Sequence, residues 1–315
     1  MAGSYREEKN KVRIIKFVLL LAVLAAVPVF AQAPTPPPTR SPAELDQLVA
    51  RIALYPDPLV AQILAGATYP DQIPDAAKWA DQHHYLTGKA LADAIQGDQL
   101  PWDPSVQALL PFPSVLEMMA SDMNWTTNLG NAFLAQEQDV MEAVQRERRK
   151  ARDYGYLRSN GQIVVGGGPY ITIMPVNPAF VVVPYYDPRV VFFAPRPGFF
   201  VGGGIRFGYG VTLGGFFRPW GWGYNRFDWG GHGVFINNAR WGRTWVNRGE
   251  YSHPYEGVHR FGPGDRVPER HELEERSEHE RTYEREGRRA PEEHRGGGDR
   301  GHGNGDDHGG DHGHR

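Results

Sequence analysis

The 315-residue chain contains no cysteine. That absence excludes a disulfide framework, zinc–thiolate and iron–sulfur centres, a thiol nucleophile and the cysteine of a lipid-attachment motif. Net basic charge is lacking as well. The 34 Lys and Arg face 37 Asp and Glu, for a formal charge of -3, so no overall field draws the chain to nucleic acid. The N-terminal apolar run at residues 17–27 is 11 residues long, well short of the ~20 needed to span a bilayer. Motifs for nucleophile elbows, phosphate loops and zinc-protease helices are missing too. Gly166-Gly167-Gly168 and Gly202-Gly203-Gly204 lack the spacing of a dinucleotide fingerprint. His271-Glu272-Leu273-Glu274-Glu275 carries Glu where a metalloprotease helix needs its second His.

What the chain has in excess is glycine (38) and proline (26), and both are unevenly placed. Arg6, Lys9, Lys11, Arg13 and Lys16 precede the short apolar run, and small residues follow it, the pattern of a secretory signal peptide over residues 1–31 with cleavage after Ala31. Residues 32–40 hold four prolines and read as an extended linker. Ser41-Pro42-Ala43-Glu44 is a capping box with proline at the first helical position, and Leu45, Leu48, Val49 and Ile52 follow at helical spacing up to Tyr55.

A short phrase is then written twice. Asp57-Pro58-Leu59-Val60 is followed by Trp79, and Asp103-Pro104-Ser105-Val106 is followed at the same interval by Trp125. Each Asp-Pro pair places a carboxylate where a helix cap belongs, so Asp57 and Asp103 are expected to be caps and the two tryptophans core or inter-helix anchors. Further helices are expected over residues 71–82 and 87–96, in short pieces after Asp103 and Pro113, and in one long helix over residues 124–154 ended by Gly155. The cations Arg146, Arg148, Arg149, Lys150 and Arg152 fit a solvated helix end that complements the dipole; an anion-binding patch is the alternative.

After Leu157 the period becomes extended. Residues 162–165, 170–174, 180–183 and 189–193 read as strands broken by Pro, Gly and Asn. In residues 198–245, fourteen Gly and fourteen Phe, Tyr or Trp accompany a single acid, Asp228. Such rings need burial against the helical part, another copy, a membrane surface or a glycan, and Trp220, Trp222, Trp229, Trp241 and Trp245 are the expected partner contacts. Residues 262–315 carry 15 acids and 10 bases with few apolar side chains, a composition that stays disordered. Within this tail His308, His312 and His314 are the candidate metal ligands, in a segment with no preformed geometry.

The expected fold class is therefore α+β. An all-helical domain of about six or seven proline-started helices (41–157) precedes a small β-ribbon or sheet (158–197), a Gly/aromatic-rich segment (198–261) and a disordered His/Gly-rich tail (262–315). The phrases "IALYPDPLVAQIL", "TYPDQI", "PWDPSVQALLPFPSVLEMM" and "MPVNPAFVVVPYYDPRVV", in that order, resemble the bacterial envelope proteins grouped as domain of unknown function 3300. The resemblance spans about residues 45–259 and implies export, with no established activity and no catalytic residues to carry over. Relatives commonly end in a basic tail; this one is acidic on balance.

The functional expectation is an exported, non-enzymatic protein of the periplasm or cell envelope. It uses no cofactor, and its partner is a protein, peptidoglycan, a membrane surface or a second copy of itself, not nucleic acid. The alternatives are an envelope hydrolase using helical-domain carboxylates, chiefly Asp57 and Asp103, and weak metal buffering by the tail.

Overall fold

The computed structural model describes residues 35–195, 203–208 and 210–258. The signal-peptide reading and the tail histidines His308, His312 and His314 lie outside those residues. Among them, eight α-helices come first: α1 (Pro42–Val49), α2 (Asp57–Ala67), α3 (Ile73–Gln82), α4 (Gly88–Gly97), α5 (Pro104–Gln107), α6 (Pro113–Ser121), α7 (Met123–Ala135) and α8 (Glu137–Asp153). Proline stands in the first turn of α1, α2, α3, α5 and α6, where its missing N–H costs nothing. Ser41 and Glu44 form the reciprocal capping box. At the far end, Gly155 (φ 81°) donates to Arg152 O and Tyr156 to Ala151 O, the paired bonds of a Schellman stop.

Helix α2 is the centre of the core. Leu59, Val60, Ile63 and Leu64 are fully buried. Helix α7 approaches it so closely that a Cβ at Gly130 would lie 2.0 Å from Ala67 O. Only glycine leaves room for that approach.

Two expected helices are shorter than their periodicity suggests. The first stops at Val49 and not at Tyr55, because carbonyls beyond it serve tertiary donors: Ala50 O accepts from the Tyr186 hydroxyl, and Ala53 O and Tyr55 O accept from Arg148. The long helix expected over 124–154 divides at Gln136 (φ -140°, ψ 46°). No proline breaks it there. The Gln136 amide instead pairs with the backbone N and O of Arg40, and Leu134 O accepts from Trp245 N at 2.9 Å.

The strands are short and all antiparallel. β1 (Ile163–Val165) pairs with β2 (Ile173–Pro175). β3 (Phe180–Val181) pairs with β6 (Val211–Thr212), and β4 (Pro184–Tyr186) pairs with β5 (Ile205–Phe207). The last two pairings tie the strand region to the glycine-rich region. The run expected to be a strand at residues 189–193 is instead a helix, α9 (Pro188–Val191), because Asp187 accepts from Arg189 N as its cap and Pro188 sits in its first turn. β7 (Arg226–Asp228), β8 (Gly233–Ile236) and β9 (Ala239–Arg240) form a meander. Asn237 (φ 52°) and Asn238 (φ 58°) make the two-residue turn between the last two, the left-handed geometry that matches strand twist.

The Gly/aromatic segment lies on the helices of its own chain. Trp220 donates from Nε1 to Gln107 Oε1 (3.0 Å), and its carbonyl accepts from Gln62 Nε2 (2.9 Å). Trp222 donates to Ala108 O (2.9 Å) and packs its ring on Phe112. Magnitudes favour this arrangement. Each glycine costs about 0.5–1 kcal/mol of ordering. A ring that buries roughly 200 Å² recovers about 5 kcal/mol at 25 cal/mol per Å².

The doubled Asp-Pro phrase yields two different structures. Asp103 is the expected cap of α5, its Oδ1 accepting from Ser105 N (2.9 Å) and Ser105 Oγ (2.6 Å). Asp57 caps nothing. Its Oδ1 accepts from Arg148 Nη1 (2.5 Å) and Ile173 N (3.1 Å), and its Oδ2 from Trp229 Nε1 (3.1 Å). Arg148, placed by its sequence in a solvated basic end, is fully buried. A guanidinium has five donors, and this one also reaches Ala53 O, Tyr55 O and Ile171 O. Burying one charge alone would be prohibitive, so each is buried because the other is there.

Candidate functional site

A concave surface with perturbed charged groups lies where α1, α8 and α9 meet. Leu45, Leu48 and Val49 of α1 pack towards α8, whose Val140, Met141 and Val144 are buried. Above this seam runs a small ion network. Asp46 Oδ1 accepts from Arg146 Nε (2.7 Å), Asp46 Oδ2 from Lys150 Nζ (3.1 Å), and Glu147 Oε1 from Lys150 Nζ (2.5 Å). The third wall comes from the Asp187-capped α9, which carries Pro188 and leads into Phe192 and Phe193. Together these elements line a groove of about 570 Å³, with Tyr154 among its lining residues.

The groove is largely apolar, with Ala43, Ala50, Phe192 and Phe193 along its sides. Phe193 is 62% exposed and the neighbouring Val190 is 44% exposed. Lys150 in its charged lining pairs with both Asp46 and Glu147, while Arg189, 88% exposed, pairs with Asp187 outside the groove. The Glu147 side chain is only 4% exposed, and burial raises its pKa above the usual glutamate value against the opposing pull of Lys150. Burial pulls Lys150 the other way, but its bonds to Glu147 and Asp46 outweigh that and hold its ammonium above the usual lysine value. The arrangement has no nucleophile beside a free base. Its lining offers aromatic rings, small apolar side chains and donors from Gln47 and Tyr154, and so can hold an extended apolar ligand.

The structure places the sequence-nominated residues differently. Trp220, Trp222, Trp229 and Trp241 are 1%, 2%, 6% and 1% exposed, taken up within their own chain. Trp229 lies 4.2 Å from Phe227, centroid to centroid, with the Arg148 guanidinium 5.0 Å from its ring. Trp241 packs against Tyr251 and His253. Trp245 alone of the five is half-exposed, with Arg248 stacked 3.7 Å above its ring. The aspartates of the helical part do not converge on a common site: Asp57 is bound to Arg148, Asp98 accepts from Trp79 Nε1 (2.7 Å), and Asp103 caps α5. Among the described residues no group of three or more His, Asp or Glu side chains could hold a metal ion, and no helix is long and apolar enough to cross a membrane.

Sequence reasoning missed the groove residues Glu147, Lys150, Tyr154, Phe192 and Phe193. One local signal was available. Phe192-Phe193 follows an Asp-Pro cap and leads into Ala194-Pro195, an apolar pair with no strand register to bury both rings.

The family described as protein of unknown function (DUF3300) matches residues 41–256. The uncharacterized protein YacH of Escherichia coli (strain K12) is 37% identical over an alignment of 185 residues that covers 48% of this chain and 30% of that protein. The match thus spans less than a third of that relative's length. No solved structure matches the chain.

Proposed function

The chain belongs to the DUF3300 family, and on that premise we propose that it is an exported, non-enzymatic protein of the bacterial envelope acting as an interaction or scaffold module. Phe193 carries the reading: it stands 62% exposed in the lining of a groove whose charged side chains each have an ion-pair partner. A surface that keeps an aromatic ring in water while neutralising its own charges is suited to holding a partner. The basic residues, short apolar run and small residues ahead of the proline linker support export. The contact surface shifts from the tryptophans of the Gly/aromatic segment to this groove, and the segment becomes part of the scaffold. A hydrolytic role for the helical carboxylates has less support, because both oxygens of Asp57 are engaged and Asp103 Oδ1 holds Ser105.

Cell fractionation, followed by retention of the purified protein on peptidoglycan and outer-membrane material, tests the reading. The wild type is expected in the envelope fraction and on one of the two materials, and Phe193→Ala is expected to lose retention with unchanged helical circular dichroism. Recovery of the wild type as a free protein that binds neither would overturn the proposal.

A further inference from the structure

The groove has the chemistry of a polyproline receptor. A polyproline II segment makes no internal hydrogen bonds, so its carbonyls are free to accept, and its proline rings pack on aromatic faces. Here Phe193 and Tyr154 provide the rings, with Phe192 buried behind them, and Gln47 and Tyr154 provide donors in the lining. Because such a segment is already extended when free, little ordering entropy opposes its docking.

The chain carries a segment of this kind. Thr35-Pro36-Pro37-Pro38-Thr39 belongs to no helix or strand, and of these residues only Pro37 is half-buried. It does not occupy its own groove, since none of residues 35–40 lines it. The reason is local. Arg40 N donates to Gln136 Oε1 (2.8 Å), Arg40 O accepts from Gln136 Nε2 (3.2 Å), and its guanidinium donates to Asn128 (2.8 Å). The capping box fixes Ser41 immediately after. The point at which the segment leaves is therefore set, and three consecutive prolines keep it extended from there.

We infer that the groove formed by α1, α8 and α9 binds the proline segment 35–39 of a second copy of this chain. This rests on the reading of the groove as a contact surface and names its occupant. The contact is heterologous, groove to segment, so each copy has one of each and association proceeds head to tail into rings or open chains.

Sedimentation velocity of the exported chain, residues 32–315, over a concentration range tests the inference, with two variants that leave the helical core intact. One replaces Pro36, Pro37 and Pro38 by Ala; the other is Phe193→Ala. The wild-type sedimentation coefficient is expected to rise with concentration, and each variant alone is expected to stay at the monomer value. An equimolar mixture of the two should form dimers and nothing larger, because only one working groove meets one working segment. A peptide of residues 35–40 should dissociate the wild-type assembly. A wild type that is monomeric throughout, or association untouched by both variants, would sink the inference. If the monomeric wild type is still retained on envelope material through Phe193, the contact-surface reading stands and only the occupant is wrong.

Discussion

Arg148 and Asp57, 91 residues apart in sequence, meet at 2.5 Å with side chains 0% and 4% exposed. Neither has water to turn to. Arg148→Met removes the cation and leaves the carboxylate buried, together with three backbone carbonyls that had accepted from the guanidinium. Breaking such a pair is expected to cost about 3–5 kcal/mol. Asp57→Asn is expected to cost a similar amount: its amide oxygen still accepts from Ile173 N, but the Arg148 cation stays buried without its counter-charge and an N–H now faces the Trp229 N–H. Urea denaturation of both single variants and the double variant measures the coupling; additive losses would mean that the pair is not a unit.

Gly130 and Gly97 make a contrasting pair. At Gly130 a methyl group would collide with the Ala67 carbonyl at 2.0 Å, backbone that cannot swing aside. Gly130→Ala is expected to lose about 1–3 kcal/mol or more. At Gly97 nothing lies within 4 Å of the added carbon, and Gly97→Ala should gain about 0.4–1 kcal/mol by restricting the unfolded chain. Thermal unfolding is expected to move down in the first case and up in the second.

The β8–β9 turn can be read residue by residue. Asn238 at φ 58° tolerates Gly but not a β-branched side chain. Asn238→Val is expected to cost about 1–2 kcal/mol and Asn238→Gly a few tenths at most. Equal losses in chemical denaturation would contradict the left-handed geometry.

Glu147 makes a pH prediction. Burial raises its carboxyl above the ordinary 4.5, with Lys150, Asp46 and Arg146 the charged groups around it. The folded chain therefore holds this proton more tightly than the unfolded chain. From 4.5 up through the raised value the native state binds more protons, so this group's contribution makes stability fall as pH rises across that window. Glu147→Gln should flatten that part of the stability profile, as followed by urea midpoints at successive pH values. An unchanged slope would remove Glu147 as its source.

Features set by neighbouring residues were readable from the sequence. The capping box at Ser41, the proline starts of α1, α5 and α6, the Gly155 stop and the Asp103 cap all depend on a handful of adjacent positions. Residues 189–193 carry a β-branched and aromatic run that predicts a strand, but the Asp-Pro cap before it prevails and starts a helix. The role of Asp57 was hidden because its partners stand at 148, 173 and 229, and the same local phrase gives a true cap at Asp103. That the tryptophans need burial followed from composition; that their own helices cover them did not, since no local pattern links Trp220 to Gln107. The groove was illegible for the same reason. Its walls come from three separated stretches, and Phe193 was assigned to a strand.

The partners of Asp57 also impose an order in time. Sequence separations of 91, 116 and 172 residues divide the carboxylate from Arg148, Ile173 and Trp229. A growing chain that has made only its first seven helices contains an acid with no cation to meet it, and contacts this distant form late. The helical half thus has its counter-charge once Arg148 is made, but the second carboxylate oxygen meets its partner only when residue 229 has been synthesised, so the packing around Asp57 is completed last.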